Sequence, residues 1–173
     1  MKRLGMISIL ALLGVVPALA AELPARKPGL WEIKMAVENR NVPGQTLQQC
    51  IDASTDQILQ SNAGPSSIQS VCTKHDVQRT ANGMTIDSTC TVAGKPTTTH
   101  AVITGSLDSS YTMTVTSDSA AAPGGKSSVT MSAKWLGPCA AGQRPGDMIM
   151  PNGMKINIPD MQKRGIPPIP GRP

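Results

Sequence analysis

Aromatic side chains are almost missing from this chain. It has no phenylalanine, and its rings are those of Trp31, Tyr111 and Trp135. A folded core must therefore be built from Val, Ile, Leu, Met and Ala around three rings, which we predict to be core residues. Proteins that bind single-stranded nucleic acid combine a basic groove with exposed rings that stack on the bases. We therefore expect no nucleic-acid partner.

Apolar runs long enough to span a bilayer are also missing after residue 20, since a membrane helix needs roughly 20 apolar residues. The first twenty residues combine Lys2 and Arg3 with an apolar stretch over 4–16 and small residues up to Ala20, as secretory signals do. We predict cleavage near Ala20 and a periplasmic or secreted protein that does not span the membrane. Without Lys2 and Arg3 the net charge of +5 falls to +3, which is only mildly basic.

Motifs of common catalytic sites are absent. The chain contains no Gly-x-Ser-x-Gly, no His-Glu-x-x-His and no phosphate-binding glycine loop. His75 and His100 are the two histidines, and neither has a sequence neighbour that would make it a base. We therefore expect no enzyme and no cofactor. A hydrolase whose triad is assembled from distant parts of the chain is the third-ranked alternative.

The strongest fold signal is Asn82-Gly83 between two alternating runs, 72–79 and 84–92, which predicts a β-hairpin because both turn residues tolerate positive φ. Period-two alternation predicts further strands at 31–37, 98–105, 111–116 and 129–135, and a short strand at 45–51. Ser54 and Gln57 have capping-box spacing, which predicts one short helix over 54–60. The fold class is therefore all-β, with an antiparallel meander that forms a curved sheet or half-barrel.

Composition divides the chain into three parts. Residues 1–20 are the predicted signal peptide, and 21–141 form the predicted β-domain. Residues 142–173 hold seven prolines and four methionines with almost no strand pattern, so we predict an extended tail there.

Four cysteines in an exported chain predict a disulfide framework with three possible pairings. In a meander, Cys90 and Cys139 fall at opposite ends of the sheet, and Cys72 lies at the same end as Cys90. We therefore predict the bridges Cys72–Cys90 and Cys50–Cys139. Alternation places Cys72 and Cys90 on different faces of the hairpin, so this pairing requires a bulge beside Cys72 or a strand that begins after it.

Two metal sites compete with these predictions. Zinc has possible ligands in Cys72, His75, Cys90 and His100, but an oxidising compartment favours cystine. Cu(I) is soft and prefers sulfur, which makes a binding site of Met148, Met150 and Met154 the alternative function. We favour the plainer interpretation, in which these methionines fill gaps in the packing and no metal is bound.

Trp31 and Trp135 are predicted to pack in the core, with Arg144 or Lys134 over a ring. A half-closed sheet also has room for a small apolar ligand between its layers. A cavity lined by Met113, Val115, Met131 and Trp135 would favour that use over a solid core.

Several motifs together resemble a bacterial family of small exported proteins, domain-of-unknown-function family 3617. They are residues 26–32 (RKPGLWE), 49–51 (QCI), Cys72 and Cys90 with the Asn82-Gly83 hairpin, and 135–139 (WLGPC). The resemblance covers residues 26 to about 154 and implies no activity. Residues 29–31 (GLW) also resemble the Gly-x-Trp of lipocalins, which implies a lipocalin-like half-barrel that holds a ligand.

From these observations we predict an exported, non-catalytic binding or envelope-associated module. Its partner is unknown, and a small apolar ligand and an envelope protein are the two classes we consider.

Overall fold

The computed structural model describes residues 23–38, 44–63, 72–92, 94–119 and 124–164. The predicted signal peptide and the end of the predicted tail, 165–173, lie outside these ranges. Within them, nine strands form one antiparallel sheet: β1 Gly29–Val37, β2 Gln45–Ile51, β3 Cys72–Thr80, β4 Gly83–Val92, β5 Lys95–Ser106, β6 Ser110–Ser119, β7 Lys126–Gly137, β8 Asp147–Ile149 and β9 Lys155–Asn157. The helices within the described ranges are α1, Ala53–Ala63, and α2, Ile158–Lys163.

The strand order is β3-β4-β5-β6-β7-β1-β2-β8-β9. Strands β3 to β7 follow one another as the predicted meander, because each connection is a short turn that lets neighbours in sequence pair. Strand β1 pairs with β7, the last strand of the meander, and β2 pairs with the other edge of β1. The first strand of the chain therefore lies in the interior of the sheet. The predicted all-β fold with a curved antiparallel sheet is confirmed.

Alternation along the strands divides the sheet into two faces, since successive side chains point to opposite sides. The core face carries Trp31, Ile33, Ile103, Tyr111 and Ala133, all buried. The polar face carries the intervening residues, mostly Thr and Ser. Strand β1 starts at what we call the closed end of the sheet, where these buried residues lie, and β3 starts at the opposite, open end.

A bulge reconciles the two cysteines of the central hairpin. Cys72 lies opposite Cys90, but Lys74 lies opposite Thr89, so Thr73 is an extra residue in β3. The extra residue turns Cys72 to the face of Cys90, and the structure joins the two in a disulfide. The second disulfide joins Cys50 to Cys139 at the closed end, and among the described residues no cysteine is free.

The N-cap of helix α1 lies two residues before the predicted cap, Ser54. Asp52 Oδ1 accepts a hydrogen bond from the Thr55 amide at 2.8 Å, and the Asp52 amide donates to Thr55 Oγ1 at 2.9 Å. The Thr55 amide and hydroxyl both donate to Asp52 Oδ1, and these two hydrogen bonds lower the pKa of Asp52 because they favour its charged form. Asp52, and not Ser54, is therefore the N-cap. None of the helices in the described ranges has the length and apolar composition needed to cross a bilayer.

Residues 142–164 differ from the extended tail predicted for them. They add the short strands β8 and β9 to the β2 edge and end in α2, a second helix that the sequence did not predict. The prolines permit this because Pro145 and Pro151 lie in turns and Pro159 lies in the first turn of α2, where no amide donor is needed.

Asp147 holds this segment together. It is 3 % exposed and accepts hydrogen bonds from the Arg144 amide and from Asn157 Nδ2, both at 3.0 Å. Burial alone would raise the pKa of Asp147, but these hydrogen bonds and the nearby Lys155 hold it below its ordinary value.

Candidate ligand-binding face

Residues 26–28, which precede β1, lie across the closed end of the core face, and we call them the capping segment. Trp31 is 0 % exposed, and its indole Nε1 donates to the Lys27 carbonyl at 2.8 Å. Trp135 is opposite Trp31 in the sheet, and its Nε1 donates to the Pro28 carbonyl at 3.1 Å. Both indole donors therefore bind the backbone of one short segment, which fixes that segment across the end of the sheet.

A buried ion pair joins the same segment to helix α1. Arg26 Nε lies 2.8 Å from Asp56 Oδ1, and the Arg26 amide donates to Asp56 Oδ2 at 2.7 Å. Arg26 Nη1 donates to Gln49 Oε1 at 3.1 Å, so a strand, a helix and the capping segment meet at one guanidinium. Burial raises the pKa of the nearby Tyr111, and the Arg26 charge offsets part of that rise.

Cations also lie over both tryptophans. The Arg26 guanidinium is 5.9 Å from the centre of the Trp31 ring, and Lys27 Nζ is 3.7 Å from the centre of the Trp135 ring. The prediction of Arg144 or Lys134 over a ring was wrong. Arg144 pairs with Asp160 instead, and Lys134 lies on the polar face opposite Glu32. All three aromatic residues belong to the core or pack against it, as the sequence predicts.

Gly29 permits the start of β1 to lie close to the Gly137 backbone and the Trp135 ring. We expect Gly29→Ala to destabilise the fold strongly. Its φ is +133°, and a Cβ there would lie 2.3 Å from the Gly137 carbonyl oxygen and 2.6 Å from Trp135 Nε1. Gly137 is a matched control, because its φ is +137° with nothing within 4 Å of its Cβ position. Backbone strain costs about 1–3 kcal/mol at either site, so urea denaturation should show Gly29→Ala as clearly the more destabilised variant. Equal losses would contradict the steric explanation.

The core face continues beyond the closed end as two cross-strand rows of apolar side chains. The methionine row, next to the core, consists of Met84, Ile103, Met113, Met131 and Met35. The valine row follows it towards the open end and consists of Val77, Ile86, Ala101, Val115, Val129 and Val37.

Burial falls along this face from the closed end to the valine row, whereas Cys90, Thr97 and Ser119 at the open end are buried. Tyr111 and Ala133 are buried, whereas Met113 and Met131 in the next row are only partly buried. In the valine row every side chain except Ala101 is partly buried. The residues proposed from the sequence to line an apolar cavity, Met113, Val115, Met131 and Trp135, all lie on this face and all retain some exposure. The methionine and valine rows together are therefore an incompletely covered apolar surface.

The polar face offers a different chemistry. One shallow depression of about 450 Å³ is lined by Glu32, Lys34, Lys134 and hydroxyl side chains of β5 to β7. A second, of about 370 Å³, contains His100, whose Nδ1 lies 2.7 Å from Asp87 Oδ1. Both members of that pair are exposed at 40 % or more, so water competes with their contact.

The metal alternatives fit the structure unequally. Cys72 and Cys90 are joined in a disulfide and do not offer thiolates to zinc, and His75 and His100 lie on opposite faces of the sheet. The methionine site is divided as well. The Met150 amide donates to the Met154 carbonyl at 2.9 Å, so a turn brings those two residues together, but Met148 packs against the hydrophobic core.

Sequence reasoning missed the Arg26–Asp56–Gln49 cluster. Its members lie 23 and 30 residues apart and share no alternating pattern. The signal that could have suggested it is Asp56 itself, a charged residue on a short helix that has to pack against the sheet.

Comparison with curated proteins and with solved structures finds no match. A family model described as "Protein of unknown function (DUF3617)" matches residues 26–139. The matched region begins at Arg26 in the buried ion pair, includes strands β1 to β7 and helix α1, and ends at Cys139 of the closed-end disulfide. The chain therefore belongs to the DUF3617 family of proteins of unknown function.

Proposed function

We propose that the protein is an exported, non-catalytic binding module that holds a small apolar ligand against the open half of its core face. The observation that carries the proposal is the loss of burial from the methionine row to the valine row, on a face that is otherwise the hydrophobic core. A continuous apolar surface that stays partly exposed is the usual feature of a ligand or partner site.

The chemistry of these rows supports binding over catalysis. In the methionine and valine rows, β4 to β7 and β1 present only Met, Ile, Ala and Val side chains, and none of these transfers a proton or attacks a substrate. Export to the periplasm is supported by the two disulfides, since such bonds persist in oxidising compartments. The intact mass of periplasmic protein should correspond to a chain that begins at Ala21.

The test is a titration with the apolar fluorescent probe N-phenyl-1-naphthylamine. We expect saturable binding of one probe per chain, and we expect Val115→Asp to weaken it at least tenfold, because a charge on the apolar face cannot be desolvated without cost. Thr114→Asp is the matched control, since the neighbouring residue of the same strand points to the polar face and is also partly buried. Its affinity should change less than twofold.

Two results would contradict the proposal: no saturable binding to the native protein, or equal losses in the two variants. Circular dichroism and tryptophan fluorescence of both variants establish that each is folded before the affinities are compared.

The second candidate is Cu(I) binding, favoured by the turn in which the Met150 amide donates to the Met154 carbonyl. Titration of the whole chain and of a Met150→Leu/Met154→Leu variant with Cu(I) separates it from the first. Tight Cu(I) binding that disappears in the variant supports copper handling, whereas equal, weak binding by both removes the methionine turn as a site.

A further inference from the structure

The rows of the core face become polar towards the open end. Beyond the valine row, the register aligns four hydroxyl side chains on adjacent strands: Ser88, Thr99, Ser117 and Ser127. We call this set the hydroxyl row. It lies on the same face as the apolar rows, because each member is two residues along its strand from a member of the valine row. All four side chains are partly buried.

Half of the hydroxyl row is already hydrogen-bonded. Ser88 and Thr99 bond to each other, and one row further out Thr97 donates to Ser119 at 2.8 Å. In the described part of the chain, the hydroxyls of Ser117 and Ser127 have no hydrogen-bond partner. They are a directly opposed cross-strand pair, whose Cβ atoms lie about 5 Å apart in such sheets. Two adjacent, partly buried hydroxyls are therefore available at the boundary of the apolar surface.

The four side chains of the hydroxyl row are all neutral. The nearest ionisable residues that the register places on this face are His75 and Arg79, on the edge strand β3, and Lys95, two rows further out, and all three are exposed. An anionic head placed between Ser117 and Ser127 would lose water without gaining a cation in return.

We propose that the ligand is a single-chain amphiphile with an uncharged polar head. Its alkyl chain crosses the valine and methionine rows in the direction of strand β6, and its head exchanges hydrogen bonds with Ser117 and Ser127. This inference rests on the proposed function and adds to it the chemical class of the ligand. Hydroxyls both donate and accept, so an alcohol, ester or amide head satisfies them where a hydrocarbon would leave them unpaired.

The geometry also limits the chain length. Met113 and Ser117 are four residues apart in β6, a distance of about 14 Å along a strand. An extended alkyl chain zigzags, so each carbon–carbon bond of about 1.5 Å advances it by only about 1.25 Å, and roughly eleven bonds cover that distance. The buried core beyond the methionine row stops a longer chain, so affinity should rise about fourfold per added methylene and level off near twelve carbons.

The experiment measures displacement of N-phenyl-1-naphthylamine from the whole mature chain by 1-monolauroylglycerol and by laurate at pH 8. We expect the neutral lipid to bind about tenfold more tightly than laurate, because the carboxylate loses its water without gaining a cation. Ser117→Ala/Ser127→Ala should weaken binding of the neutral lipid about tenfold, the fold-change that two ordinary hydrogen bonds supply. Thr116→Ala/Ser128→Ala, which removes the opposed pair of neighbouring residues on the polar face, should change that affinity less than twofold.

Each outcome separates the two proposals. If the probe binds but laurate competes as well as the neutral lipid, or Ser117→Ala/Ser127→Ala binds the neutral lipid as tightly as the native protein, the head-group assignment is overturned and the apolar site stands. If the probe does not bind the native protein at all, the proposed function fails and this inference fails with it.

Discussion

Replacing Cys50 and Cys139 together by alanine is expected to lower the free energy of unfolding by about 4.6 kcal/mol, from the loop-closure entropy of a cross-link spanning 89 residues. Small domains are stable by only about 5–15 kcal/mol in total, so this variant should be close to unfolding at ordinary temperature. The bridge connects the end of β2 to the segment after β7, the two strands that flank β1. Without it, the insertion of β1 between them depends on hydrogen bonds and packing alone.

The second bridge is the internal comparison. Cys72 and Cys90 are 18 residues apart, and the same entropy relation gives about 3.2 kcal/mol for their replacement by alanine. Urea denaturation of the two double variants should therefore rank the closed-end bridge as the more stabilising. A larger loss for the Cys72/Cys90 variant would show that the hairpin, and not the closure around β1, limits the stability of the sheet.

Replacing Asp56 by alanine is expected to cost about 3–5 kcal/mol, because it leaves the buried Arg26 guanidinium without its counter-charge. Asp56 is 0 % exposed and the Arg26 side chain 9 %, so water cannot replace the lost partner. The same carboxylate also accepts the Arg26 amide, which would become a second unsatisfied donor. Helix α1 and the capping segment should both loosen from the sheet.

Two further variants provide reference values for the loss of stability expected in Asp56→Ala. Asp118→Ala removes an exposed carboxylate that lies 3.9 Å from Lys126, and such pairs contribute at most about 1 kcal/mol. Arg26→Met/Asp56→Leu removes both buried charges and should recover much, but not all, of the stability, because the Arg26 amide still loses its acceptor. If Asp56→Ala is no more destabilised than Asp118→Ala in chemical denaturation, the ion pair does not hold the closed end together.

Most of the sheet was predictable because its information is local. Strands β1, β6 and β7 show alternation over six or more residues, and Asn82-Gly83 dictates a tight turn between β3 and β4. The bulge at Thr73 was detectable as well, because the alternation of β3 disagreed with the pairing of its cysteine. These signals depend on neighbours within about ten positions, and a single sequence contains them in full.

The prediction of an extended segment was wrong for residues 142–164, for the opposite reason. Strands β8 and β9 have three residues each, too few for alternation to be recognised, and they form because the edge of β2 is available to pair with them. Their turns are held by the buried Asp147, whose partners come from residues on both sides of it. Composition alone could not show that a proline-rich segment has an edge to bind.

The candidate site was predictable only in part. The sequence indicated which apolar residues share a face, including Met113 with Val115 and Met131 with Trp135. It contained nothing that placed Ser117 beside Ser127 or Arg26 beside Asp56, because those contacts depend on strand register and on where the capping segment crosses the sheet.

By itself, the sequence determined the all-β class, the meander and the motifs that place the chain in its family, since each of these follows from short-range alternation, turns and fixed residue types. Only the tertiary structure decided that β1 pairs with β7, that a buried ion pair holds the capping segment at one end, and that the methionine and valine rows of the core face remain partly uncovered. Those features arise from contacts between residues tens of positions apart. Such contacts are selected by the burial of the whole sheet and are not encoded in any one segment.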